Sequence, residues 1–291
     1  MKTTDGKTGL YALFADPVEH SLSPLMHNTA FNIKSINAVY MAFRVTKDNM
    51  ADAVKAMKVL NIAGANISMP NKKEVMNYLD VVTDEALFCN AVNTVVNRDG
   101  KLYGYNTDIY GAQKAIESLD IEIYDKEFTL LGLGGAGQAV LYALAKNKAR
   151  KVNVFIRNES FDKRRDFIKK INDKFSTDCS IYPFNSCEQI KKSLENSILL
   201  INATCVGMGK YEGQSPLAED INLPKKISVF DLIYAPSETR LTAKAKNEKC
   251  RAVINGLPML VNQGAMAFKL FTGEEMPTEY IAEHLKRFDK M

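Results

Sequence analysis

The feature that most constrains this chain is Phe128-Thr129-Leu130-Leu131 running straight into Gly132-Leu133-Gly134-Gly135-Ala136-Gly137, followed by an Ala- and Leu-rich stretch to about Asn147. A buried strand, a glycine turn and a helix in that order form the first half of a β-α-β unit. Each glycine has a physical task. The first permits the tight turn, the second lets the backbone approach a pyrophosphate, and the third lets helix pack closely on strand. The helix start adds N–H groups and the positive end of the helix dipole, which suit phosphate oxygens. A glycine turn without a ligand has the same spacing, but a strand before it and a helix after it favour a dinucleotide site. Gly132, Leu133, Gly134, Gly135, Ala136 and Gly137 are its candidate residues.

Strand and helix signals alternate along the rest of the chain. A strand is expected over residues 10–15. Ser23-Pro24 then opens a helix, with Ser23 as N-cap and proline at the first helical position. Met26, Ala30 and Ile33 line one face of it at helical spacing. Strands over 38–45 and 62–67 flank a helix capped by Asp48, whose apolar positions are Met50, Ala53, Val54, Met57 and Leu60. A short helix over 72–79 precedes a hairpin that turns at Asp99-Gly100. A helix over 109–119 leads to the glycine turn. Later strands are expected at 152–156, 181–182, 198–201, 228–232 and 252–254, and helices at 257–271 and 278–288.

This pattern is α/β, with parallel sheets in both halves. It divides into two domains. Residues 1–107 plus 256–291 form an N-terminal α/β substrate-binding domain, to which the C-terminal helices return. Residues 108–255 form a Rossmann-type doubly wound parallel sheet.

Composition excludes several classes of function. The chain has 291 residues, with 38 basic against 34 acidic ones, an excess too small for a nucleic-acid binder. The densest basic stretch, Lys163, Arg164, Arg165, Lys169 and Lys170, alternates with Phe161, Phe167, Ile168 and Ile171, as on the wet face of an amphipathic helix. Five cysteines with no CxxC pair point to a reducing compartment, and three histidines without helical pairing argue against a metal. Residues 1–6 lack the apolar core of a signal peptide, and no apolar run approaches bilayer length. A cytoplasmic protein that is a monomer or homodimer, bound to neither membrane nor nucleic acid, is expected.

The end of the strand after the glycine turn bears on cofactor choice. An acidic side chain there can accept a hydrogen bond from a ribose 2′-OH, whereas an arginine suits a 2′-phosphate. This chain has Arg157-Asn158-Glu159, one of each, so both NAD and NADP are expected. A surface arginine beside a helix-capping acid is the bland alternative.

Four polar clusters stand at strand ends and helix starts in the first half. They are His20-Ser21-Leu22-Ser23-Pro24, Asn66-Ile67-Ser68-Met69-Pro70-Asn71-Lys72, Ala91-Val92-Asn93-Thr94, and Gly104-Tyr105-Asn106-Thr107-Asp108. Their hydroxyls, amides, ammonium and carboxylate suit a small polyhydroxylated acid. In order and spacing along nearly the whole chain, these clusters resemble the shikimate dehydrogenase family. Ser68-Met69-Pro70-Asn71-Lys72 and Tyr40-Met41-Ala42-Phe43 are most similar to its quinate/shikimate dehydrogenase branch.

The resemblance implies NAD(P)-dependent interconversion of shikimate and 3-dehydroshikimate. It also implies residue roles. Ser21 and Ser23, helped by Tyr40, would hold the substrate carboxylate. Ser68, Asn93 and Gln263 would bind ring hydroxyls, and Lys72 and Asp108 would form the catalytic pair. The backbone around Met208, Leu232 and Gly256 would border the nicotinamide. Ile156, Pro258 and Asn262 depart from the family's pattern on the cofactor side, and Ala15 stands before Asp16-Pro17 where a glycine is usual. From spacing alone each residue has a plainer reading: Ser23 and Asp108 as helix caps, Lys72 and Gln263 as solvated side chains. The competing functions are a quinate dehydrogenase and a dinucleotide-binding regulator without catalysis.

Overall fold

The structure, a computed structural model, describes residues 4–288. Residues 1–3 and 289–291, and the side chains of Lys163 and Phe288, all part of the sequence readings above, lie outside the described residues. The chain forms two compact units. One comprises the chain up to Gly111 together with the segment from Val261 onward, and the other is Ala112–Leu260.

The first unit is built on β1 (Gly9–Ala15), β2 (Ala38–Arg44), β3 (Gly64–Ile67), β4 (Val81–Val82), β5 (Thr94–Arg98) and β6 (Lys101–Tyr105). Its sheet has the order β2-β1-β3-β5-β6-β4. β1 pairs in parallel with β2 and β3, whereas β5 runs antiparallel to β3 and β6. The antiparallel part is the hairpin at Asp99-Gly100, so the parallel pairing expected of the first half covers only part of this sheet. Around it lie α1 (Ser23–Ile33), α2 (Met50–Val59), α3 (Asp84–Cys89) and the start of α4 (Asp108–Glu117). Phe14, Met50, Val54, Met57, Ile67, Val95 and Leu102 meet in one apolar core. Burying each large side chain there contributes about 1.5–3 kcal/mol.

Several local expectations are corrected. α1 begins at Ser23 with Leu22 as its N-cap, so Ser23 lies inside the helix and does not cap it. Its buried face is Ser23, Met26, His27, Ala30 and Phe31, while Ile33 is exposed at the helix end. α2 is capped at Asn49, with no side-chain cap from Asp48, and Leu60 is exposed because the helix has already ended. The short helix expected over 72–79 is present as a five-residue 3-10 helix, Glu74–Tyr78.

From Val261 onward α9 (Leu257–Thr272), and with it α10 (Thr278–Phe288), completes the first unit. The Phe268 ring lies 5.3 Å from Phe31, and the Phe271 ring lies 5.0 Å from Tyr11. Tyr11 Oη donates to the Phe271 carbonyl at 3.2 Å, and α10 lies against α1.

The second unit carries β7 (Glu127–Leu131), α5 (Gly135–Lys146), β8 (Lys151–Ile156), α6 (Phe161–Lys174), β9 (Asp178–Pro183), α7 (Cys187–Asn196), β10 (Leu199–Asn202), β11 (Ser228–Asp231), α8 (Arg240–Asn247) and β12 (Ala252–Ile254). Its sheet is parallel throughout, in the order β12-β11-β10-β7-β8-β9. The chain enters at β7, works outward to β9, and returns to the other side of β7 with β10. This reversal makes a topological switch point between β7 and β10, where ligands bind at the strands' carboxyl ends. α5 is buried from Gly137 to Ala145, as its apolar composition requires. In α6, Phe167, Ile168 and Ile171 are buried and Arg165, Lys169 and Lys170 exposed. Among the described residues, no helix is long and apolar enough to cross a membrane, and no three His, Cys, Asp or Glu side chains cluster as metal ligands.

Candidate active site

In the first unit, an ammonium and a carboxylate meet. Asn71 Nδ2 donates to the Val45 carbonyl at 2.6 Å, and the Val92 N–H donates to the Lys72 carbonyl at 2.8 Å. These two bonds fix the backbone that carries Lys72. Lys72 Nζ then donates to Asp108 Oδ2 at 2.5 Å, with the two side chains 21% and 10% exposed. Asp108 opens α4, but its carboxylate is engaged elsewhere, since Asn93 Nδ2 donates to the other oxygen at 2.8 Å. The Asp108 N–H is bonded by Asn106 Oδ1 at 3.2 Å. Asn93 Oδ1 accepts the Thr107 N–H at 2.7 Å, and Asn93 Nδ2 also reaches Gln263 Oε1 on α9 at 3.4 Å. The last contact is long and weak.

Tyr40, on β2, donates its hydroxyl to Asn66 Oδ1 at 2.8 Å. Burial raises this phenol well above the ordinary tyrosine range, and the Ser23 hydroxyl, bonded to the same oxygen, pulls the other way. Ser21 Oγ accepts the Ser23 N–H at 3.2 Å. Ser68 follows β3 and is tied by its backbone to Phe14 and Asn71. The contacts thus join Lys72, Asp108, Asn93 and Gln263 in one group and Ser21, Ser23 and Tyr40 in another, while the Ser68 hydroxyl bonds to neither among the described residues.

Two features of this unit escaped sequence reasoning. Asn66, Thr94 and Thr107 were visible in the polar clusters but had no role. Their signal was polar character at strand positions that the alternation buries. His27 is the second feature. Its ring stacks on Tyr40 at 4.5 Å and 4°, and neither ring nitrogen has a hydrogen-bond partner. Burial pushes its pKa down to about 3. Its position four residues after Ser23, on the same helix face, was the available signal.

In the second unit, the glycine turn follows the physics expected of it. Gly132 has φ +89°, and its N–H donates to the Phe155 carbonyl at 2.8 Å. A Cβ on Gly137 would stand 2.5 Å from the Gly132 carbonyl oxygen, whereas one on Gly134 would meet nothing within 4 Å. The third glycine is therefore spent on packing and the second leaves open space. Gly134 caps α5 without a side-chain bond, so the helix start keeps its N–H groups for another acceptor. Leu133 is buried beneath, and Gly135 is exposed.

Arg157, Asn158 and Glu159 are exposed at the carboxyl end of β8, which lies beside β7. Met208 follows β10 in a loop and is 39% exposed. The Leu232 N–H donates to the Asn202 carbonyl and the Gly256 N–H to the Ile233 carbonyl, each at 2.9 Å. Leu232 and Gly256 therefore stand at the ends of β11 and β12. Between these loops, buried Asp231 accepts from Thr239 Oγ1 at 2.7 Å, Asn202 Nδ2 at 2.9 Å and the Ile233 N–H at 3.2 Å. Burial pushes its carboxyl up, and these three bonds oppose the shift. The open second glycine, the uncapped helix start and the exposed arginine at the next strand's end fit a dinucleotide.

The chain is similar to known proteins in sequence and fold. The shikimate dehydrogenase substrate binding domain matches residues 13–95, and the shikimate 5′-dehydrogenase C-terminal domain matches residues 256–286. A shikimate dehydrogenase (NADP(+)) of Streptococcus uberis is 42% identical over 283 residues, which cover 96% of each chain. One of Streptococcus pneumoniae is 40% identical, covering 97% of each. The shikimate 5-dehydrogenase of Listeria monocytogenes, crystallised with shikimate and NAD, matches with a TM-score of 0.92 at 37% identity, over 98% of this chain and 99% of that one. With identity of this extent along almost its entire length, the chain belongs to the shikimate dehydrogenase family.

Proposed function

We propose that this protein is an oxidoreductase that interconverts shikimate and 3-dehydroshikimate with NADP or NAD, using Lys72 and Asp108 as its catalytic pair. The observation that carries the proposal is the 2.5 Å contact between these two side chains, backed by Asn93, in a chain 42% identical to a shikimate dehydrogenase.

The bound dinucleotide supplies the hydride in one direction and accepts it in the other. As the ring ketone is reduced, its oxygen gains negative charge. The Lys72 ammonium stabilises that charge by hydrogen bonding and then delivers the proton. In the oxidising direction neutral Lys72 takes the proton from the hydroxyl. Asp108 orients Lys72 and accepts from a neighbouring ring hydroxyl, which fixes the substrate against the lysine. Ser21, Ser23 and Tyr40 hold the substrate carboxylate, and Ser68, Asn93 and Gln263 bind ring hydroxyls. Asn93 already donates to Asp108, so it serves the carboxylate as well.

On the cofactor side, the helix start behind Gly134 receives the pyrophosphate. Arg157 pairs with a 2′-phosphate and Glu159 accepts from a 2′-OH, so both dinucleotides are used. Met208, Leu232 and Gly256 offer backbone to the nicotinamide. The family relatives named for NADP(+) and the Listeria structure with NAD support this dual reading. The test is a turnover assay that follows reduced nicotinamide, crossing NAD and NADP with shikimate and quinate. Shikimate should be oxidised with both cofactors, at a preference below about a thousandfold. No turnover of shikimate with either cofactor would reject the activity, and a higher kcat/KM for quinate would reassign the substrate.

A further inference from the structure

Asn66 and Thr94 have no role in the mechanism above, yet they stand opposite each other in the β3–β5 register and are 7% and 0% exposed. Buried polar groups must be satisfied, and where these bonds go is informative. Tyr40 Oη donates to Asn66 Oδ1 at 2.8 Å. Asn66 Nδ2 donates to the Asn93 carbonyl at 3.3 Å and to Thr94 Oγ1 at 3.1 Å. Thr94 Oγ1 lies 3.1 Å from Asn93 Oδ1 and 3.2 Å from Thr107 Oγ1. Asn93 Nδ2 donates to Asp108 Oδ1 at 2.8 Å.

The direction of the hydrogens is fixed by partners that can play only one part. A backbone carbonyl only accepts, so the Asn93 carbonyl holds the NH2 of Asn66 and turns its oxygen towards Tyr40. Tyr40 is therefore a donor. A backbone N–H only donates, so Thr107 holds the Asn93 oxygen at 2.7 Å and leaves the Asn93 NH2 to donate to Asp108 at 2.8 Å and to Thr107 Oγ1 at 3.0 Å. Thr94 receives a hydrogen from Asn66 and passes its own to Asn93 Oδ1, directly or through Thr107, whose hydroxyl lies 3.2 Å from the same oxygen. From Tyr40 through Asn66, Thr94 and Asn93 to Asp108 each link donates towards the carboxylate, with side bonds from Asn66 to the Asn93 carbonyl and from Asn93 to Thr107 Oγ1, and aligned bonds of this kind polarise one another.

We infer that Asn66 and Thr94 are positioning residues, linking Tyr40 to Asp108 by a one-way chain of buried hydrogen bonds that holds the carboxylate in the orientation Lys72 requires. The inference rests on the proposed shikimate chemistry and adds two residues to it. It also couples the two groups of side chains, Ser21, Ser23 and Tyr40 on one side and Lys72, Asp108, Asn93 and Gln263 on the other.

Thr94→Val removes the hydroxyl at nearly constant volume, and Thr94→Ser keeps it. The valine variant should lose about tenfold in kcat, with KM for shikimate and for the dinucleotide within about twofold of wild type. The serine variant should recover kcat to within about twofold of wild type. A purely structural role would lower thermal stability in both variants and leave kcat per folded enzyme alike. Wild-type kcat in Thr94→Val, or equal loss in both variants, overturns the inference. If Thr94→Val does not fold, the Thr107→Val and Thr107→Ser pair reads the adjoining link with the same two outcomes. An inactive wild type sinks the shikimate reading and this inference together, whereas an active wild type with an unaffected Thr94→Val sinks only the inference.

Discussion

Lys72 and His27 are both polar side chains in a largely apolar lobe, and they illustrate opposite uses of burial. Lys72 is partly exposed and paired, so its charge is available for chemistry. Lys72→Ala should lower kcat by about 10²–10⁴ with smaller changes in KM, as measured by steady-state kinetics. Full activity in that variant would remove Lys72 from the mechanism. His27 is sealed among Phe31, Tyr40 and Phe268 with both nitrogens unpaired. Its pKa in the folded protein is about 3 against an ordinary 6.5, so between these values only the unfolded chain carries the extra proton. Stability from this residue is complete above pH 6.5 and is lost as pH falls towards 3. Urea unfolding from pH 7 downward should show wild type losing up to about 1.4 kcal/mol per pH unit relative to His27→Phe. Parallel curves for the two proteins would contradict this assignment.

Among the elements, the β7–turn–α5 unit makes the most discriminating prediction, because its glycines differ in what surrounds them. Gly137→Ala would drive a Cβ against the Gly132 carbonyl, costing about 1–3 kcal/mol of stability. Gly134→Ala meets only open space, so its unfolding temperature should stay near wild type while KM for the dinucleotide rises about tenfold or more. Equal thermal loss in both variants would defeat this division of labour. The same unit was legible in the sequence because strand, turn and helix each carried an independent signal. Helix ends were less legible. Ser23-Pro24 has the composition of a cap and first turn, yet the Ser23 hydroxyl bonds Tyr40 and the helix starts one residue earlier than expected. Ile33 and Leu60 continued an apolar period, but each lies where its helix runs out and nothing covers it. In the site, Lys72, Asp108, Asn93 and Gln263 were named in advance through the family resemblance. Asn66, Thr94 and Thr107 were not assigned, because their importance lies in which way their hydrogens point, and that depends on tertiary neighbours.

At the scale of the whole molecule, two compact units divide the chemistry between them. The side chains proposed to bind shikimate all lie in the first unit, and those proposed to bind the dinucleotide all lie in the second. Hydrogen exchange should therefore respond separately to the two ligands. NADP should slow exchange at Gly132–Gly137 and the start of α5, and shikimate should slow it at Ser21–Ser23 and residues 66–72. Protection by both ligands in a single unit would refute the partition. The units also differ in continuity. The second is one uninterrupted stretch, whereas the first needs Phe268 and Phe271 from α9 to cover Phe31 and Tyr11. During synthesis, then, the later-made nucleotide lobe can acquire its native form as it leaves the ribosome. The amino-terminal lobe must wait, with part of its core uncovered, until α9 is translated. A chaperone that shields exposed aromatic surface has its longest window of action on the portion of the polypeptide made first.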